Sequence, residues 1–424
     1  MIPAPASARA STAGAPLAGV RVLELGSTVA GPFCGRLLGD FGAEVIKVEA
    51  IEGDIVRRMG KQLGTKSLYA ASIFRNKALI AVDLRTEAGR AIVRDLAAIS
   101  DVVVENFRPG RLEEWNLGYE SLEALNPGLI LVRISGFGQD GPLSSRGGYG
   151  VIGEAVGGLR HITGDPDRPP ARAATSLTDY ISGLYGAFGA ALALFARGSD
   201  GRGQVVDVSL FESAFSFMEP WIPAYEQLGY VAGRHGSKLP GSAPNNLYPT
   251  ADAEFIHITA VSDALFARLA EIMGHSALAG DERFVTPAAR VANSEALDEL
   301  IAQWTGALPL SDIEAVLHEA DVPASRIFTM AEIFADEHYR ARGSIVAAPD
   351  PELGTVAVAG VFPRLSRTPG RVVHAGRPVG ADTREVLTQL LAMDATTITS
   401  LDAAGVIRCS EVGEANTDTA SGGN

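Results

Sequence analysis

Three stretches of this chain hold residues that could do chemistry. In TSLTDYISGLYG (175–186), Asp179 follows Thr175, Ser176 and Thr178, each able to cap a helix. That order places its carboxylate in a first helical turn, where it complements the helix dipole by about 0.3–1 kcal/mol. The same position keeps a carboxylate ionised, as a covalent nucleophile must be. The local residues are consistent with either role. In VENFRPG (104–110), Asn106, Phe107 and Arg108 leave the end of an apolar run. Beyond a parallel strand such a loop could stack an adenine and pair a phosphate. A plain turn fits the same residues.

The third stretch is a decoy. Gly136, Gly138 and Gly141 spell G-x-G-x-x-G behind LILVRIS (129–135). A dinucleotide site needs a helix opening there, with its amides on the pyrophosphate. Pro142 and the polar run SSRGGYG follow instead, so no nicotinamide site is expected. The seven histidines (161, 235, 257, 275, 318, 338, 374) show no HxxxH or HExxH pair, and no metal site is expected. There is also no P-loop and no G-x-S-x-G elbow.

These residues need a scaffold. Between Val20 and Gly136 the runs VRVLEL, EVIKVE, ALIAVDL, DVVVENF and LILVRISG read as buried strands. Helical text such as GPFCGRLLGDFG and EAGRAIVRDLAAIS separates them, which argues for a parallel sheet covered on both faces. A long helix from TSLTDY to LFAR, a strand QVVDVSL and a helix FESAFSFMEPWIPAYEQLGY, with possible breaks at Pro220 and Pro223, complete this half. GRHGSKLPGSAPNN (233–246) reads as a linker. Beyond it FIHITAV, SDALFARLAEIMG, SEALDELIAQWTG and LSDIEAVLHEAD form a smaller α/β unit, with Ser262 and Ser311 as expected helix caps.

Composition bounds the partners. The chain has 424 residues, a net charge of -14 and 46% hydrophobic residues. Its overall field repels polyanions, so nucleic acid is not an expected partner and an anionic ligand must be met by local donors. Cys34 and Cys409 form neither a disulfide framework nor a metal signature, and no apolar run approaches the ~20 residues of a membrane span. With no hydrophobic signal core at the N-terminus, a cytoplasmic location is expected.

Several motifs in order resemble the family III CoA transferases. They are GVRVLELGSTVAGPFCGRLLGDFGAEVIKVE (19–49), RNK at 75–77, VENFRPG, SGFGQDGPLSSRGGY, TSLTDYISGLYG and GRGQVVDVSLFES. The resemblance runs from about Pro16 to about Leu391. It implies an α/β subunit with a large Rossmann-like parallel-sheet domain and a smaller α/β domain, two subunits threading into an interlocked homodimer. The expected layout is a disordered leader (1–15), the large domain (16–232), the linker (233–246), the small domain (247–342), a return to the large domain (343–408) and a disordered tail (409–424).

The resemblance also implies that Asp179 is the catalytic aspartate. It would attack an acyl-CoA thioester and pass through a mixed anhydride to an aspartyl-CoA thioester, with no cofactor beyond the CoA substrate. Carried over position by position, CoA contacts are expected at Val29, Ala30, Val82, Asp83, Leu84, Arg85, Asn106, Phe107, Arg108 and Tyr149. Two positions depart from the pattern. Ala50 and Glu114 stand where the formyl-CoA enzyme has arginines, so the phosphates need other donors, with Arg57, Arg58, Arg85 and Arg111 as candidates. The glycine run of that enzyme is replaced by GSKLPGSAPNN, which argues against oxalate.

The superfamily also contains α-methylacyl-CoA racemases, which need a His and an Asp on opposite sides of the α-carbon. Tyr149 occupies the racemase His position, and a phenol of ordinary pKa near 10 is a poor base at neutral pH. Transfer is therefore expected over racemisation or over non-catalytic CoA binding. PAYEQLG, RHGSK and SDALFARLAEIMG most resemble the succinyl-CoA:malate and citramalate enzymes, so the expected donor is succinyl-CoA and the acceptor a small dicarboxylate.

Overall fold

The computed structural model describes residues 14–410. The expected leader (1–15) and tail (409–424) lie outside the described residues, apart from 14, 15, 409 and 410. The chain divides into two units, one made of residues 1–159, 173–220 and 340–424, the other of 160–172 and 221–339.

In the first unit the apolar runs become strands β1 (Arg21–Glu24), β2 (Glu44–Glu49), a short pair β3 (Gln62–Leu63) and β4 (Lys66–Ser67), and β5 (Lys77–Val82). Then follow β6 (Val102–Glu105), β7 (Ile130–Ser135) and β8 (Val205–Ser209). Every residue of β5, β6 and β7 is buried, as strands covered on both faces require. The main sheet runs β5-β2-β1-β6-β7-β8, all parallel. This is the strand order of a doubly wound sheet, whose direction of winding reverses between β1 and β6.

The long helix Leu177–Asp200 packs on this sheet through small residues. A Cβ on Gly183 would sit 2.7 Å from the Ala30 carbonyl oxygen, and one on Gly189 2.5 Å from Val206 Cγ1. Only glycine allows the helix Ala30–Asp40 and the sheet to approach so closely. The opposite side of the long helix exposes Leu184, Phe188, Leu192 and Phe195. Among the described residues it is the one helix long and apolar enough to cross a membrane by length and composition.

The C-terminal segment rejoins this unit. β12 (Ile345–Asp350) and β13 (Gly354–Ala359) form a hairpin, and β14 (Ile407–Arg408) adds an antiparallel edge beside β5. The strands β9 (Asn245–Pro249), β10 (Phe255–Thr259) and β11 (Ala324–Arg326) belong to the second unit. The antiparallel edge departs from the all-parallel expectation, because β14 is only two residues long and carries no periodic signal.

The RNK motif proves to be the clasp for the returning segment. Arg75, fully buried, forks onto Asp40 at 3.0 and 2.6 Å and bonds the Ala359 and Gly360 carbonyls. Asn76, at φ 62°, donates to Asp40 and to the Arg371 carbonyl and accepts from the Val373 amide. Lys77 stands apart from the clasp and pairs with Glu24 of β1 at 2.6 Å.

The second unit packs helices on the antiparallel sheet β11-β10-β9 around Tyr248, Ile256, Phe266, Phe284, Leu297 and Ile313. Ser262 caps its helix as expected, accepting from the Leu265 amide. Ser311 does not. Pro309 takes the cap position, and Ser311 lies inside the helix Leu310–Glu319 because proline fits the extended backbone there. The helix expected over 211–230 breaks at Pro220, while Pro223 is tolerated in the first turn of Trp221–Leu228. The division therefore falls at 220/221, and the segment 233–246 lies inside the second unit. It is tied down there. Arg234 donates to the carbonyls of His161, Asp165 and Pro166, and Lys238 pairs with Asp298 at 2.7 Å.

Candidate active site

A cavity of about 260 Å³ opens at the carboxyl ends of β1, β6 and β7, at the point where the winding reverses. Ligands of open α/β sheets bind at such a point because adjacent connections depart to opposite faces. Val29, Ala30, Asn106, Phe107, Arg108, Tyr149 and Asp179 all line it. Val82, Asp83, Leu84 and Arg85 do not. They form the end of β5 and the turn after it, two strands away from β1.

Asp179 stands in the first turn of the long helix. Ser176 holds the cap position without a side-chain cap bond, and Thr178 is buried inside the helix. The Asp179 carboxylate rests against Gly150, the first residue of the helix Gly150–Val156: a Cβ there would lie 2.1 Å from Oδ2. Gly136 and Gly148 pack backbone against backbone in the same wall, a Cβ on Gly148 falling 2.6 Å from the Gly136 Cα. The G-x-G-x-x-G stretch thus continues into a close-packed turn, and the next helix waits until Gly150. Tyr149 is 77% exposed at the rim.

The loop after β1 is held from below. Asn106 clamps it, accepting from the Ser27 amide at 2.8 Å and donating to the Ser27 carbonyl at 2.9 Å. The side-chain amide read as a CoA contact is therefore already committed to the loop. Thr28 adopts φ 68°, a left-handed backbone that costs a β-branched residue energy and is sustained only by its surroundings. Its amide donates to Asp54 at 3.1 Å, Asp54 pairs with Lys47 at 3.1 Å, and Lys47 donates to the Gly26 carbonyl.

Lys47, Asp54, Glu24 and Lys77 are all buried. Burial opposes the charge on Lys47, but Asp54, Glu24 and Glu49 outweigh it and raise its pKa. Burial likewise acts to raise Asp54, and Lys47 with the Val56 and Thr28 amides brings it below the usual range. Lys77 is lowered to about 8 by burial, against Glu24 and with Lys47 nearby. Removing one member leaves the others buried and uncompensated. Lys47→Met is expected to lower the unfolding free energy by about 3–5 kcal/mol, read by urea titration. A loss below 1 kcal/mol would show the network to be slack.

Glu105 closes β6 directly before the Asn106 loop, accepting from the Phe107 amide at 2.7 Å and from Arg133 at 2.8 Å. Burial outweighs both and raises its carboxyl to about 7. Its folded pKa exceeds the ordinary 4.5, so the folded state holds the proton more tightly. The stability this gives is fully present below pH 4.5 and is lost as pH rises through about 7. Urea titrations across that window are expected to show a decline in the wild type that is shallower in Glu105→Gln. Equal slopes would refute it.

Sequence reasoning missed Ser27, Thr28 and Arg146, which also line the cavity. Arg146 stands before the glycine pair 147–148, and a cation beside glycines that let a ligand approach was the available signal. Cys34, fully buried against the long helix with its pKa raised by burial, is not a nucleophile.

The family model "CoA-transferase family III" matches residues 17–383. The chain belongs to this family. Among curated relatives of this CoA-transferase, succinyl-CoA–D-citramalate CoA-transferase of Chloroflexus aurantiacus is 48% identical over 394 residues, 92% of this chain and 98% of that one. Succinyl-CoA:glutarate CoA-transferase of Homo sapiens is 33% identical, with 92% and 90% covered. Among solved structures, a CAIB/BAIF family protein from Brucella suis superposes with a TM-score of 0.80 at 35% identity, covering 89% of this chain and 100% of that one. The CoA-transferase thus has the α/β fold with a parallel-dominated sheet expected from its motifs.

Proposed function

We propose that this CoA-transferase moves CoA from succinyl-CoA to a small dicarboxylate of the citramalate or malate type, with Asp179 as covalent carrier. The observation that carries the reading is the Asp179 carboxylate in the wall of the cavity at the sheet's switch point. The substrates rest on the names of the relatives, a succinyl-CoA–D-citramalate enzyme at 48% identity and succinyl-CoA–L-malate enzymes at 38% and 39%.

An Asp179 oxygen attacks the thioester carbonyl, the C–S bond breaks, and CoA leaves as thiolate from a mixed anhydride. The thiolate then attacks the Asp179 carbonyl and releases succinate, leaving an aspartyl-CoA thioester. The acceptor carboxylate repeats both steps in reverse order, and Asp179 is regenerated. Each step exchanges one activated acyl group for another, so no metal or redox group takes part. Val82, Asp83, Leu84 and Arg85 together with Asn106, Phe107, Arg108 and Tyr149 hold the CoA.

Racemisation is disfavoured because no histidine stands among the described residues lining the cavity. The exposed stripe Leu184, Phe188, Leu192 and Phe195 supports a homodimer, since an apolar face of this length is costly to leave in water. Light scattering that gives a monomer mass would reject the dimer. The free thiols Cys34 and Cys409 support a cytoplasmic setting.

The test is isotope exchange. Labelled succinate should enter succinyl-CoA without any acceptor, and a screen of carboxylates should favour citramalate or malate. Failure of succinate to exchange would sink the donor assignment, and deuterium incorporation into a 2-methylacyl-CoA would favour racemisation.

A further inference from the structure

The ligand edge of the large sheet extends beyond the cavity. From β1 the strand ends run outward through β2 and β5 to β14, about 14 Å at ~4.8 Å per strand. The arginines along this edge differ in what they face. Arg57 forks onto Glu49 at 2.9 and 2.8 Å, Arg85 onto Asp83 at 2.8 and 2.9 Å, and Arg111 bonds Glu114 at 2.6 Å. Three of the four candidate phosphate donors are therefore already matched to carboxylates.

Arg408 of β14 is exposed and has no carboxylate partner among the described residues. Its Nη1 donates to the Ile51 carbonyl at 3.3 Å, which carries the guanidinium across β5 to the end of β2, beside Ala50. Its register partner on β5 is Ala81, whose methyl leaves room for that crossing. One bond to a carbonyl leaves the remaining donors of the guanidinium for an anion. Arg408 also lies beyond the family match at 17–383, so the match assigns it nothing.

We infer that Arg408 binds the 3′-phosphate of CoA, supplying from the last strand the cation that Ala50 lacks. The inference rests on the proposed CoA chemistry of the cavity. A CoA whose thioester meets Asp179 between β1 and β6 runs its ADP along the strand ends, past Val82–Arg85, toward β14. A guanidinium suits a phosphomonoester because its donors pair the oxygens in a fork.

Calorimetry with CoA and 3′-dephospho-CoA on the full-length protein tests this. Wild type is expected to prefer CoA by about 10-fold or more, the size of one charge-assisted hydrogen bond. Arg408→Gln should bind CoA about 10-fold more weakly and 3′-dephospho-CoA unchanged, and its KM for succinyl-CoA should rise with little change in kcat. Adding Ala50→Arg to that variant should restore the preference. Arg408→Lys, which keeps the charge, should show an intermediate preference and serves if the glutamine variant fails to fold. Equal weakening of both ligands, or none, overturns the inference. A wild type that binds both equally overturns it alone, and one that binds neither overturns the proposed function as well.

Discussion

Asp179→Ala is expected to lower CoA exchange by at least ~10⁴-fold, on the scale of removing a covalent nucleophile. The variant should fold, because Asp179 contributes to the helix start no more than about 0.3–1 kcal/mol. Wild type incubated with succinyl-CoA and then hydroxylamine should carry a hydroxamate on the peptide containing residue 179, seen by mass spectrometry. The variant should carry none. A substantially active Asp179→Ala, or wild type without an adduct there, would reduce Asp179 to the dipole partner that its local sequence equally supports.

Gly150→Ala is the second large effect. Gly150 has no left-handed φ, so alanine fits its backbone. The new methyl carbon would stand 2.1 Å from Asp179 Oδ2 and 2.7 Å from Cγ, closer than a non-bonded carbon can sustain. Either the carboxylate or the turn must move by about an ångström, a displacement that costs about 10²-fold when a reacting group is misplaced. The loss should fall on kcat, and CoA binding should persist, since Val29, Phe107 and Arg108 are untouched. An alanine variant with wild-type kcat would show that Asp179 works from another position.

Much of this was legible in the residues because burial on both faces leaves an unmistakable record. The strands from VRVLEL to LILVRISG, the helix bearing Asp179 and the unusable glycine triplet could all be read from hydrophobic runs and from proline. The resemblance, in turn, gathered Val29, Ala30, Asn106 to Arg108, Tyr149 and Asp179 to what proved to be one cavity. Asn106 was visible as a loop residue, but not as the clamp on Ser27, because that bond joins positions far apart in the chain. For the same reason the sequence could not show that Arg75 and Asn76 fasten the C-terminal segment. Arg57, Arg85 and Arg111 looked available to phosphates, although their carboxylate partners Glu49, Asp83 and Glu114 lie within eight residues of them in the sequence. β14, with two residues, is too short to leave a pattern.

That small strand has a consequence for how the protein is made. β14 pairs residue 407 with residue 82, so this edge of the large sheet waits until residue 407 has been made. At ~5–20 residues per second a ribosome needs roughly 15–65 s to travel between the two. Throughout that interval the β5 edge is open on a nascent chain, where an unpaired strand invites the wrong neighbour. The exposure ends only when residues 407 and 408 have been made and can pair. A message truncated before codon 407 would leave that edge permanently unsealed.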